Sequence, residues 1–230
     1  MKKKLDESYV KESSRRSKKA LPEFQFRNIT VYIKDPLPDS VDFEHVLKTL
    51  DEKMPDRFFD FIDHIIVGDF DFLRKKNTNA VYLDGGIYVT NNQDDEDDIL
   101  DDIIHEIAHA IEKEKFIIIY SDGRLEAEFL SKRERLFHLL DAHGYQFEYQ
   151  DFLQTEYSNN FDNLLYFEVG YQVLDSIASN LFYSPYGATS LREYFANGFE
   201  AFYHHREPDK IAAISPILFD KLEKIHYNKE

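Results

Sequence analysis

The chain has 230 residues, 43% of them hydrophobic and 15% aromatic, with 44 acidic against 28 basic side chains, a formal charge of −16 and no cysteine. That apolar content supports a packed core and excludes a disordered acidic chain, and the absence of thiols excludes disulfides, cysteine-ligated metal and a cysteine nucleophile. The net negative charge disfavours binding to nucleic acid or to an anionic membrane, because phosphate contacts need a positive surface.

Residues 1–20 hold eight Lys or Arg and three acids, so a +5 segment leaves −21 on the remainder, and 1–21 is read as a basic, flexible arm ahead of one domain at 22–230. Lys2, Lys3 and Lys4 are followed by charged residues rather than an apolar stretch, so no signal peptide is expected. The longest run of large apolar residues, Phe116 to Tyr120, is far below the roughly 20 needed to span a bilayer. A cytoplasmic protein is the expectation.

Phe24 to Lys34 reads as one strand, closed by Pro36 and Pro38. Ser40 is placed to cap a helix whose apolar positions, Phe43, Val46, Leu47 and Leu50, follow helical spacing. Strand patterns recur at His64 to Val67 and across Val81 to Thr90, the latter a hairpin turning on Asp84-Gly85-Gly86. From Asp95 the periodicity is helical: 95–114, 122–142, 161–182, 190–205, and a last helix entered through Ser215-Pro216. Strands early and helices late describe an α+β fold.

The chemistry concentrates in His105-Glu106-Ile107-Ala108-His109. Histidines four apart on a helix stand one turn apart on one face, about 6 Å, within reach of a single ion. Glu106 sits beside them, free to act on water without ligating. This is the His-Glu-x-x-His arrangement of zinc metallopeptidases, carried on a helix with an apolar stripe of Ile99, Leu100, Ile103, Ile104, Ile107, Ala108 and Ile111. The acids Asp94 to Asp98, Asp101 and Asp102 crowd the start of that helix, more than its dipole accounts for, and are read as a solvated face.

Zinc needs a third protein ligand and an open position. Ser190 to Phe202 offers Glu193, with Ala196, Asn197 and Glu200 on the same face and Leu191, Phe195, Phe199 and Phe202 opposite. Asn197, one turn on, is placed to hydrogen-bond a liganding histidine. Ser190 and Glu193 equally spell a capping box, and spacing alone leaves ligand and cap both open.

Taken together, His105 to His109 and the stretch Tyr186-Gly187-Ala188-Thr189-Ser190-Leu191-Arg192-Glu193-Tyr194-Phe195-Ala196-Asn197-Gly198-Phe199 resemble the catalytic domain of anthrax toxin lethal factor and the related Pro-Pro endopeptidases. The resemblance covers roughly residues 79–115 and 183–227. It implies a zincin-like metallopeptidase fold of the gluzincin type, with Zn2+ held by His105, His109 and Glu193, Glu106 as general base and Tyr186 donating to the oxyanion. Two positions depart from the family. His109 and Glu193 are 84 residues apart, about twice the family's interval, which marks roughly 121–182 as a helical insertion, and Asn197 stands where the family tends to have an acid. The His-Glu-Ile-Ala-His helix is also similar to that of repressor-cleaving proteases of the ImmA type, which place the third ligand closer in sequence.

The expected function is a zinc-dependent endopeptidase. Its peptide substrate lies along an edge strand at Ile87 to Thr90, where backbone groups hydrogen-bond and side-chain pockets select sequence. The competing expectations are a non-catalytic peptide-binding or structural protein on the same fold and an ImmA-like regulatory protease with one specific cytoplasmic protein target.

Overall fold

The computed structural model describes residues 23–227, so the expected basic arm at 1–21 lies outside the described residues. The chain is mixed α and β, with a five-stranded sheet towards the N-terminus and a helical C-terminal part. The described residues divide into two compact units, one up to Ile107 and one from Ala108, the boundary falling inside the helix Glu96–Glu114.

In the first unit β1 (Glu23–Phe26) and β2 (Ile29–Ile33) are two strands where one long strand is expected. Arg27 has φ +54° and turns the chain into a hairpin, a break that the alternating apolar residues do not signal. Helix α1 (Phe43–Lys53) buries Phe43, Val46, Leu47 and Leu50, the positions expected. Its cap is Asp42 rather than Ser40. The Asp42 carboxylate accepts from the amides of Glu44 and His45 at 3.1 and 3.2 Å, while the Ser40 hydroxyl donates to the carbonyl of Asp94 at 3.2 Å. After a 3-10 turn at Asp56–Phe61, β3 (His64–Val67) enters the sheet. Helix α2 (Asp71–Lys76) then leads to the hairpin of β4 (Ala80–Leu83) and β5 (Gly86–Val89).

The strand order is β1-β2-β3-β5-β4, with β2, β3 and β5 parallel and the two outer strands antiparallel to their neighbours. Registered neighbours Val31, Ile65 and Ile87 are fully buried on one face. Tyr32, Ile66 and Tyr88 form the other face and pack with Phe70, Phe72 and Leu73. Both faces of β3 are covered, which is why His64 to Val67 reads as a continuous apolar run instead of an alternation.

The β4–β5 turn is two residues, Asp84 and Gly85, at φ +50° and +82°, as a tight hairpin demands. The second glycine already belongs to β5, where a Cβ on Gly86 would come 2.2 Å from His64 Nε2. This topology corrects the expected edge. Gly86–Val89 is paired on both sides, with β3 and with β4, so the strand containing Ile87 to Val89 is interior and the free edge at that end is β4. A hairpin pattern shows that two strands are adjacent, but not which of them receives the parallel partner.

The second unit is helical: α4 (Phe116–Tyr120), α5 (Arg124–Ala142), α6 (Asn159–Asn163), α7 (Tyr171–Ala178), α8 (Leu191–Tyr203), α9 (Pro208–Ile214) and α10 (Pro216–His226), after α3 (Glu96–Glu114) has crossed the boundary. The single helix expected at 161–182 is broken. A π turn at Leu164–Val169 ends at Gly170, whose φ of +85° stops the helix before α7 restarts it.

Two of the three buried Lys and Arg side chains among the described residues, Lys132 and Arg133, tie segments of this unit together. Lys132 Nζ donates to the carbonyls of Leu181 (2.6 Å) and Ile214, and burial pushes its ammonium down to about 8. Arg133, 1% exposed, donates to the carbonyls of Ala188 (3.2 Å), Thr189 (3.4 Å) and Asp151, with its guanidinium 3.7 Å from the centre of the Phe161 ring. Glu128 of α5 accepts from the amides of Ile217 and Leu218 at 2.8 and 3.0 Å and thereby caps α10. Ser215 occupies the N-cap position as expected, but its side chain makes no cap hydrogen bond.

Candidate metal centre

Helix α3 places the His-Glu-x-x-His residues. Ile99, Ile103, Ile104, Ile107, Ala108 and Ile111 are fully buried, so the stripe anticipated from the periodicity is the helix's inward face. His105 is partly buried, His109 is 8% exposed, and both lie one turn apart on this continuous helix. Glu106 is 7% exposed, and its Oε2 accepts the backbone N–H of Tyr82, in the middle of edge strand β4. One oxygen of Glu106 is therefore fixed by the sheet.

Glu193 stands in the first turn of α8. Its amide donates to the hydroxyl of Ser190 at 3.2 Å, so the serine half of the expected capping box is present. The carboxylate is directed elsewhere: Glu193 Oε1 is 3.6 Å from His109 Nε2. Backbone capping and a carboxylate turned to the histidine are thus compatible, because the cap uses the amide and leaves the side chain to reach across to α3.

Tyr186 lies in a 3-10 turn, Pro185–Ala188, just ahead of α8. Its hydroxyl is held protonated, chiefly by burial and next by the negative charge of Glu193, with Tyr157, Asp162 and Tyr171 adding to the effect. Tyr157 and Tyr171 both donate to Asp162, at 2.7 and 3.1 Å. These three residues come from the expected insertion, so that segment lies within electrostatic reach of Tyr186. Arg133 joins them through the carbonyls of Ala188 and Thr189, the two residues that lead from Tyr186 into the α8 cap.

Asn197 does not serve the histidine of its own unit in the expected way. Its Nδ2 donates to Glu200 at 3.1 Å, and the Ser184 hydroxyl donates to its Oδ1. The carboxylate facing His109 from the far side is Glu112, whose Oε2 is 3.3 Å from His109 Nδ1. Glu112 also accepts from Tyr120 at 2.7 Å and from Arg192 at 2.9 Å. Burial pushes the Glu112 carboxyl up, but the hydrogen bond from His109 and the adjacent Arg192 and Tyr120 outweigh it, leaving it below the usual carboxylate range. The sequence carried a signal for this group: Glu112 is three residues beyond His109, and Arg192 directly precedes Glu193.

The donor set, imidazole nitrogen and carboxylate oxygen with no thiol, suits a borderline cation such as zinc. The fit is supported by the approach of His109 Nε2 to a carboxylate while Nδ1 faces a second one. No family model, no curated protein and no solved structure matches this chain.

Proposed function

We propose that the chain is a zinc-dependent endopeptidase with a zincin-like fold of the gluzincin type, in which His105, His109 and Glu193 hold the metal. The observation that carries this reading is the 3.6 Å approach of Glu193 Oε1 to His109 Nε2, which joins the second histidine of the motif to a glutamate 84 residues later. His105, four residues before His109 on the continuous helix α3, shares its face and would complete the donor set.

Zinc bound there supplies Lewis acidity toward a peptide carbonyl and makes water acidic enough to lose a proton near neutral pH. The other roles belong to the chain. Glu106 takes the proton from water and returns it to the leaving nitrogen, with one carboxylate oxygen steadied by the Tyr82 amide and the other left for proton transfer. Tyr186, kept as a phenol by burial, donates a hydrogen bond to the oxygen that gains charge. Apart from the Tyr82 amide, which Glu106 takes, edge strand β4 offers backbone groups against which an extended peptide can pair.

The test uses Glu106→Gln, assayed for cleavage of a mixed decapeptide library beside zinc-loaded wild type. Zinc is retained and cleavage falls at least about 100-fold if Glu106 moves the proton. A zinc-loaded Glu106→Gln protein that cleaves at the wild-type rate overturns the assignment.

A further inference from the structure

Glu112 is 5% exposed and receives three hydrogen bonds from three separate parts of the second unit. His109 Nδ1 and Arg192 Nε both meet Oε2, at 3.3 and 2.9 Å, and Tyr120 meets Oε1 at 2.7 Å. A carboxylate removed from water must be paired, and Arg192 alone would satisfy the charge. The imidazole adds something the pairing does not require.

Neutral imidazole has one donor nitrogen and one acceptor nitrogen, and a carboxylate has no proton to give. In the neutral ring the nitrogen facing Glu112 is therefore the protonated one, and Nε2 keeps its lone pair. Nε2 is also the atom that faces Glu193. An unprotonated Nε2 on the side of Glu193 is the atom that could bind a cation there.

We propose that Glu112 is the positioning residue that fixes His109 with its proton on Nδ1 and its unprotonated Nε2 directed toward Glu193, and that Arg192 and Tyr120 hold Glu112 for this role. What Nε2 is used for rests on the metalloprotease reading. The tautomer is a property of the metal-free chain and stands apart from it. Arg192 also neighbours Glu193 in sequence, so one side chain of α8 steadies Glu112 while the next supplies the facing oxygen.

The experiment is imidazole 15N NMR of histidine-labelled, metal-free protein at a pH where His109 is neutral, followed by zinc titration against a chelating dye. Wild type shows His109 as the Nδ1–H tautomer. Glu112→Leu shifts it to the Nε2–H form that free histidine prefers and weakens zinc about 10- to 100-fold, the usual cost of losing a ligand's hydrogen-bond partner. Glu112→Gln keeps an acceptor oxygen and restores the Nδ1–H signal, which guards against a folding defect in the leucine variant. Wild-type His109 found as Nε2–H or as imidazolium, or an unchanged tautomer in Glu112→Leu, overturns the proposal even if zinc binds. The expected tautomers without zinc binding sustain it and overturn the metal reading instead.

Discussion

Asp102 shows how a single carboxyl in the acidic start of α3 separates from its neighbours. Burial lifts it from 3.8 to about 6, against the opposing donation from Gln93 Nε2 at 2.8 Å. Between those two values the folded chain binds more protons than the unfolded one, so stability falls as pH rises from about 4 to about 6 and stays lowered above that range. Asp102→Asn removes the charge that burial disfavours. In urea unfolding of metal-free protein it is more stable than wild type at pH 7 by about 1–3 kcal/mol, with the difference vanishing near pH 4. Equal stabilities at pH 7 would contradict the assignment. Asp94, Asp95, Asp97 and Asp98 are exposed and fit a solvated face, whereas Glu96 accepts from the Asp42 amide and meets His45, and Asp101 is partly buried. Glu112 illustrates the opposite balance, where three donors outweigh burial and favour the charged form.

At the level of elements, α8 is held close to α10 by a missing side chain. A Cβ on Gly198 would lie 2.4 Å from Leu218 Cδ2 and 2.9 Å from its Cγ, and Leu218 is 1% exposed. Glycine inside a helix forfeits about 1 kcal/mol relative to alanine, so its presence needs a packing reason, and Leu218 provides one. Gly198→Ala is destabilising by about 1–2 kcal/mol, and becomes neutral or stabilising in a Leu218→Ala background. Strict additivity of the two changes in thermal unfolding would show that the contact is not the cause.

The helices with long periodic patterns, α1, α3, α5 and α8, are legible from their apolar spacing, and so is the His-Glu-x-x-His face. Features set by pairing partners are not. The Arg27 turn, the interior position of β5 and the break at Gly170 each depend on a neighbour or a backbone angle that hydrophobic periodicity does not encode. The same limit hides Arg133. A charged residue in the middle of α5 reads as surface, yet it is buried because the carbonyls of Asp151, Ala188 and Thr189 converge on it. The segment read as a helical insertion therefore carries the group that anchors the residues between Tyr186 and Glu193.

For the molecule as a whole, the charge of −16 and the lack of cysteine set the terms. The ligands proposed for the metal are nitrogen and oxygen donors only, and the Arg192 side chain that supports them is one of few cations near the motif's partner helix. Residues 136–191 contain no Lys or Arg at all. Among the described residues no helix is long and apolar enough to cross a membrane. The metal reading requires that His109 and Glu193 hold one ion together. Elemental analysis of protein purified with zinc in the buffer and then exhaustively dialysed tests this directly, on wild type beside Glu193→Ala. About one zinc per chain is expected in wild type, with most of it lost in the variant and the helical circular dichroism unchanged. Zinc absent from wild type, or retained equally by Glu193→Ala, would contradict it.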